Sequence, residues 1–371
     1  MTPFRSRYVE RSGLGAILDK VLSGERLSRE DGLALYRHDD LLGVGTLANH
    51  VRETLHGDVA YYIVNQHINH TNVCVAGCKF CAFYRTAKQS DAYVLSPEDV
   101  ERRMREHMHE PIREIHMVGG VNPDLPFSYY LDVIRTMKRV RPEVHVKAFT
   151  MVEIAAMAEN FDMTPEEVLR RLKEAGLGSI PGGGAEILTD HAHQVLFKGK
   201  IDHRGWMEIA KTAHRIGLKS NATMLFGHVE TLEERIEHMR RIREVQDETG
   251  GFRAFFSWTF QDDGNRLGEK VPPETRPTSF DYLLTQAVSR IYLDNVPHIG
   301  SSWVTQGKKI GQVALQFGAD DLGSVMIEEN VVSAAGTTYR ASTDEFVHLI
   351  RSLGKTPVQR DTLYREVRVW N

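Results

Sequence analysis

From about residue 59 onwards, the apolar positions of this chain switch repeatedly between two periods. Short β-branched and aromatic runs are each followed by a stretch with apolar residues three or four apart, the signatures of a strand and then an amphipathic helix. Strands are expected at 59–64, 112–118, 144–149, a short run at 179–180, 218–226, 252–260, 297–303 and 325–327. The intervening helices are expected near 127–140, 205–216, 280–294 and 308–317, with a closing helix at 343–353. Three further helices announce their own starts. Ser96-Pro97-Glu98-Asp99 offers a capping hydroxyl, a proline at the first helical position and an acid in the first turn. Thr164-Pro165-Glu166-Glu167 does the same for a helix whose face is Val168, Leu169, Leu172 and Ala175 and which Gly176 stops. Thr231 and Glu234 open a long helix running to about residue 246.

Residues 1–57 read differently, as a helical extension. An amphipathic stretch at 15–22 is followed by Ser28 with Asp31, a capping-box pattern, and by helical spacing across 42–55. Strand–helix repeats joined by short glycine-rich turns imply parallel βαβ units. Seven or eight of them close a (β/α) barrel of the TIM type over 58–327, leaving 328–371 as a carboxy-terminal helical segment that caps it. An open doubly wound sheet is the alternative, but its glycine fingerprint is missing.

Composition narrows the class without choosing a chemistry. The chain has 371 residues, 41% hydrophobic and 26% charged, as expected of a globular enzyme-sized protein. The net charge of −4, with bases interspersed among acids, gives no nucleic-acid footprint. No run of eighteen apolar residues and no basic-then-apolar leader in residues 1–17 is present, so no membrane partner is expected. The unevenly spaced thiols suit a reducing cytoplasm.

Those thiols are the strongest chemical signal. All three cysteines, Cys74, Cys78 and Cys81, lie within eight positions, after the first strand. Three thiolates leave one iron of a four-iron cluster without a protein ligand, and an open position implies chemistry rather than electron storage. The other reading is a zinc site in which His70 or His67 supplies the fourth ligand, or a non-catalytic electron carrier. In barrels, chemistry collects where strands end. Gly119-Gly120 ends the second strand and offers bare backbone to a ligand, or simply a turn. Thr150–Glu153 and Pro181–Glu186 end the next two. Glu153 and Glu186 are candidates for ribose or substrate hydroxyls, or acids opposing a helix dipole. His228 is either a substrate contact or a cap. On the strand 252–260, alternation places Phe256, Trp258 and Phe260 on one face and Phe255 on the other. Trp258, Gln261, Trp303 and Gln306 would wall a pocket for an aryl group, or else the aromatics are core.

The cysteine run, with Phe80 just before the third thiol, resembles the radical S-adenosylmethionine (SAM) superfamily. Over about four-fifths of its length the chain resembles the radical SAM enzymes of the futalosine menaquinone pathway and the related deazaflavin-cofactor synthases. The runs NHTNVCVAGCKFCAFYR (69–85), SIPGGGAEI (179–187), TMLFGHVET (223–231), QDETGG (246–251) and LDNVPHI (293–299) carry that likeness. Two members leave their mark. SWTFQ (257–261), SSWVTQGKKIG (301–311) and GSVMIEENVVSAAG (323–336) look like dehypoxanthine futalosine cyclase. VGGVNPDLPFSYYLD (118–132), KAFTMVEI (147–154) and SNATML (220–225) look like aminofutalosine synthase, and 191–200 departs from the basic run of the cyclase.

The resemblance implies a radical SAM barrel with a 4Fe–4S cluster on Cys74, Cys78 and Cys81, and SAM bound to the open iron. It implies that Phe80 lies beside the adenine, that Gly119 and Gly120 pass under the methionine, and that Glu153 and Glu186 contribute to the cofactor site. Glu186, His228 and Gln261 are the expected substrate contacts. Weighting the carboxy-terminal half, the expected reaction is cyclisation of dehypoxanthine futalosine by hydrogen abstraction from C4′ of its ribose. The alternative is addition of the adenosyl radical to an enol-ether benzoate. The expected partners are this nucleoside-derived small molecule and an electron donor such as flavodoxin or ferredoxin.

Overall fold

The computed structural model describes residues 2–197 and 199–370; Lys198, within the 191–200 segment noted above, lies outside the described residues. Eight parallel strands follow one another around a closed barrel: β1 (Val59–Ile68), β2 (Glu114–Met117), β3 (His145–Ala148), β4 (Ser179–Ile180), β5 (Lys219–Phe226), β6 (Phe252–Thr259), β7 (His298–Gly300) and β8 (Asp321–Ile327). Pairing of β8 with β1 closes it.

Strand alternation divides the barrel into two chemistries. One face of each strand packs on the surrounding helices: Ile115, Met117, Val146, Ala148, Met224 and Phe255 are all essentially inaccessible. Each of these side chains larger than alanine contributes on the order of 1.5–3 kcal/mol on burial. The opposite face of β1–β3 is polar and fills the lumen. There Asn65 donates to Glu114 Oε1 at 3.0 Å and Lys147 Nζ lies 2.7 Å from the same oxygen. The rings of His67 and His116 stack at 4.7 Å. This explains why β1 runs four residues past the expected strand 59–64. Asn65, Gln66 and His67 break the apolar run, yet Asn65 and His67 face the lumen, and Gln66 on the other face donates to Arg103 O at 3.1 Å and Glu328 Oε2 at 2.9 Å.

The amino-terminal base of the barrel is tied by ions. Arg290 pairs with Asp320, whose Oδ1 also accepts the Ile299 amide at 2.8 Å and whose Oδ2 lies 2.7 Å from His298 Nδ1. Beside it, Asp321 Oδ2 accepts from Arg360 Nε at 2.7 Å and from the Tyr364 hydroxyl at 2.6 Å.

The helical extension packs outside this framework. Leu41–His56 lies on Ser279–Tyr292, and Arg29–Tyr36 lies on Leu232–Thr249. The expected capping boxes form at Ser28 with Asp31, Ser96 with Asp99, Thr164 with Glu167 and Thr231 with Glu234.

Four readings differ from the structure. The strand expected at 297–303 is only His298–Gly300, and Trp303 instead begins the helix Trp303–Ala314. Helices Met151–Asn160 and Asp190–Leu196 were not expected. The segment 328–371 is not solely helical. After Thr343–Arg351 it forms β9 (Thr356–Arg360) and β10 (Glu366–Val369). β9 runs parallel to the first four residues of β1, and β10 runs antiparallel to β9. Short strands rich in Arg, Gln and Pro carry little propensity of their own; the free edge at the start of β1 recruits them.

Candidate active site

The cysteine loop leaves the carboxy-terminal end of β1 and is fixed by backbone bonds from every side. Leu95 N donates to His70 O at 2.8 Å, Gly120 N to Thr71 O at 2.9 Å, and Arg85 N to Asn72 O at 2.7 Å. Cys74 N donates to Arg85 O, Val75 N to Val121 O and Lys79 N to Leu196 O, at 2.9, 2.9 and 3.0 Å. The Asn72 side chain bridges the Asp91 carbonyl and the Tyr93 amide.

All three cysteines are free thiols, Cys78 buried and the other two half-buried. They interact electrostatically with one another, and burial pushes the Cys78 thiol up to about 12 and that of Cys81 upward. Loading a metal centre therefore displaces protons. The donor set suits a polynuclear cluster, in which each thiolate meets a different iron. For a single ion the ligand atoms must crowd together. Among the described residues, the group of three or more His, Cys, Asp or Glu with ligand atoms within 4.8 Å of one another is His56, His298 and Asp320, at the base of the barrel. The zinc reading fails on geometry. His70 lies instead beneath Gly119, packed by Tyr129, Tyr130 and Phe149 with both ring nitrogens unpartnered, while His67 stacks on His116.

Gly119 and Gly120 end β2 directly against this loop. A Cβ on Gly120 would stand 2.1 Å from the Val73 carbonyl oxygen and 2.9 Å from Cys74 Cβ; on Gly119 it would stand 2.4 Å from the His70 ring. Only bare backbone lets the strand end and the cysteine loop approach so closely. The amide of Gly119 donates to Glu153 Oε1 at 3.2 Å.

That bond redirects the reading of Glu153. Its other oxygen accepts from the Thr150 amide and hydroxyl at 2.8 and 2.9 Å, completing a capping box for Met151–Asn160. Both oxygens are engaged and the residue is 4% exposed, so Glu153 is not free to meet a ribose; it supports Gly119. Burial raises its pKa to about 7.

Glu186 sits in left-handed backbone at φ 47° and is buried. Its Oε1 lies 2.8 Å from Nζ of Lys200. Lys200 was missed by the sequence reading. Its ammonium lies 4.0 Å from the centre of the Phe197 ring and 5.5 Å from that of Phe80, and it interacts with the Cys78 thiol. Phe80 in turn meets Phe197 edge-on at 5.9 Å. No local pattern marks Lys200; fourteen residues separate it from Glu186, and only the short helix Asp190–Leu196 folds it back.

His228 does not face an open site. Its ring is inaccessible, with Nε2 2.9 Å from the Leu225 carbonyl and Nδ1 accepting the Val229 amide at 2.7 Å and lying 3.0 Å from Glu230. Arg235 and the Gly227 amide, at 2.8 and 2.6 Å, hold Glu230 down to about 2 against its burial. His228 is thus a strand-end clamp. Gln261 is half-buried and its amide nitrogen is held by Thr259 O and Oγ1 at 3.1 and 3.0 Å. Gln306 reaches the same hydroxyl at 2.6 Å. Trp258 and Phe256 remain half-buried on the lumen face, whereas Trp303 is 2% exposed and donates to Ser324 O at 3.1 Å. Trp303 is core, not pocket wall.

The fold and this thiol loop define a class. The Radical SAM superfamily profile matches residues 68–242 and the CofH/MqnC C-terminal region matches 249–370. Aminodeoxyfutalosine synthase of Thermus thermophilus is 44% identical over 96% of both chains. Cyclic dehypoxanthine futalosine synthase of Halalkalibacterium halodurans is 41% identical, also over 96% of both. Among solved structures, the FeFe-hydrogenase maturase HydG of Carboxydothermus hydrogenoformans matches with a TM-score of 0.72 at 17% identity, covering 98% of this chain and 86% of that one. Methylornithine synthase (PylB) matches with a TM-score of 0.71 at 17% identity over 92% and 97%. These two likenesses concern the barrel alone.

The chain belongs to the radical SAM superfamily. Within it, the protein is a radical SAM enzyme of the futalosine pathway, and its cofactors are a 4Fe–4S cluster and S-adenosylmethionine. No helix among the described residues is long and apolar enough to cross a membrane.

Proposed function

We propose that this enzyme is the cyclase of the pathway, an oxidoreductase that converts dehypoxanthine futalosine to cyclic dehypoxanthine futalosine. The observation that carries this reading is the origin of β6–β8. They come from the region matching the CofH/MqnC carboxy-terminal profile; the SWTFQ run closes β6, and SSWVTQGKKIG leads from the end of β7 into the helix Trp303–Ala314. They also supply the half-buried aromatic wall of Phe256 and Trp258, suited to a carboxyphenyl ring.

Cys74, Cys78 and Cys81 would hold the cluster. When bound, the cluster and SAM supply a 5′-deoxyadenosyl radical. The chain's own residues then do the positioning, which is the protein's part in cofactor chemistry. Gly119 and Gly120 leave room beside the thiols, and Phe80 flanks the adenine side. Glu186 joins the cofactor and substrate face, Gln261 borders the substrate, and His228 and Glu153 stiffen strand ends. The cytoplasm is the compartment this chemistry requires, with a flavodoxin or ferredoxin as electron donor.

The second reading is aminodeoxyfutalosine synthase, a transferase. It is favoured by the 44% relative and by the synthase-like runs that follow β2, end β3 and fill most of β5. Anaerobic turnover separates the two. With dehypoxanthine futalosine the reconstituted enzyme is expected to release free 5′-deoxyadenosine with cyclic product. Turnover of 3-(1-carboxyvinyloxy)benzoate alone, with the adenosyl group retained in product, would replace the cyclase reading by the synthase.

A further inference from the structure

The Lys200–Glu186 ion pair has a position that cofactor binding by the three thiols does not explain. Nζ of Lys200 and Oε1 of Glu186 are 2.8 Å apart, with side chains only 8% and 6% exposed. The ammonium also reaches the Gly184 carbonyl at 3.5 Å, faces the Phe197 ring and lies 5.5 Å from the centre of the ring of Phe80, which stands between Cys78 and Cys81 in the loop, within electrostatic reach of the Cys78 thiol. Burying a charge costs desolvation, and one carboxylate offsets that only in part. The other ion pair at the cysteine loop, Arg85 with Asp91, is partly exposed at 27% and 58%; this one is buried against the loop.

We propose that Lys200 sets the reduction potential of the cluster, with Glu186 as its counterweight. The reading rests on the assignment of Cys74, Cys78 and Cys81 to that cluster. One-electron reduction adds a negative charge to a centre already carrying three thiolates. A fixed ammonium beside Cys78, screened little by water, favours the more negative state and raises the potential. Glu186, at hydrogen-bond distance from the same ammonium, moderates the effect and holds Nζ in place. Lys200 is therefore a positioning residue acting through charge, not a catalytic one. The pair is the part of the site that lets a cellular electron donor of ordinary potential reduce the cluster.

The test is a mediated redox titration of the anaerobically reconstituted full-length enzyme without SAM, read by the electron paramagnetic resonance of the reduced cluster. Lys200→Met is expected to lower the reduction equilibrium about tenfold, a shift of about 59 mV to more negative potential. Lys200→Arg keeps the charge and is expected to stay near the wild type. Glu186→Gln removes the counterweight and is expected to shift the potential the other way. Opposite signs are what a merely structural role would not produce. Unchanged potentials in Lys200→Met and Glu186→Gln, with full iron content, would overturn the proposal. If Lys200→Met takes up no iron, Glu186→Gln decides alone by the presence or absence of its positive shift. A wild-type protein that assembles no cluster would instead overturn the cluster assignment.

Discussion

The two ends of this barrel are both rich in ionisable side chains, and they use them in opposite ways. At the base, Asp320 and Asp321 are saturated: Arg290, His298, Arg360, Tyr364 and the Ile299 amide all converge on two carboxylates. Asp320 is already paired with Arg290, so the His56–His298–Asp320 group is an internally neutralised clasp. At the mouth the groups are left unfinished. Three free thiols stand there as a donor set for the cluster, beside the buried pair of Lys200 with Glu186. Saturation at one end stabilises; incompleteness at the other binds.

Breaking the mouth should abolish chemistry while sparing the fold. Cys78→Ala is expected to eliminate iron uptake and SAM cleavage entirely, with the far-ultraviolet circular dichroism of the barrel unchanged. Retained cleavage would remove Cys78 from the cluster.

Breaking the base should do the reverse. Asp320→Ala leaves Arg290 buried without its partner, which costs on the order of 3–5 kcal/mol. Urea unfolding of the apo-protein should show that loss, while specific activity per folded molecule is retained. An unchanged midpoint would mean that water reaches Arg290.

pH sharpens the contrast. Arg290, with His298 and His56, holds the Asp320 carboxyl well below the usual range, so its stabilisation is present above the unfolded pKa near 4 and is lost as pH falls below it. Glu153 has the opposite sign. Burial raises it from 4.5 to about 7, so the folded state binds the extra proton between those values and loses stability as pH rises through them. Several buried neutral histidines titrate in the same window, so the difference from Glu153→Gln is the quantity to measure. The stability gap in favour of the variant should widen by up to about 3 kcal/mol from pH 4.5 to pH 7. A gap independent of pH would mean that Glu153 is ionised at no cost.

The smallest effect concerns the cap that holds Glu153. Thr150→Ala removes one hydroxyl from the capping box and should cost about 1 kcal/mol. Because Glu153 then loses a partner beside Gly119, affinity for SAM should fall by more than stability does, read by isothermal titration of the reconstituted enzyme. Equal losses would make Thr150 a helix cap only.

How much of this was legible in the sequence follows from the range of the forces involved. The thiols of Cys74, Cys78 and Cys81, the caps at Ser28, Ser96, Thr164 and Thr231, and the glycines at the end of β2 act over a few residues, so spacing reveals them. Thr150 with Glu153 carries the same capping pattern, and of the two readings open for Glu153, a hydroxyl contact or a helix-start acid, the capping box favours the second. His228 and Trp303 were drawn toward the site by proximity to strand ends. The structure turns one into a clamp on Leu225 and Val229, and the other into the core beside β8.

The sequence by itself determined the repeat that builds the barrel, the three-thiol loop and the class of radical chemistry. Each is written in residue types at fixed short spacing. Only the tertiary structure decided that Lys200 meets Glu186 beside Cys78, that Glu153 serves Gly119, that Arg290 finds Asp320, and that β9 and β10 join the free edge of β1. These are pairings between distant segments. Their energies depend on burial and on distances of about 3 Å, quantities that no local pattern of residues encodes.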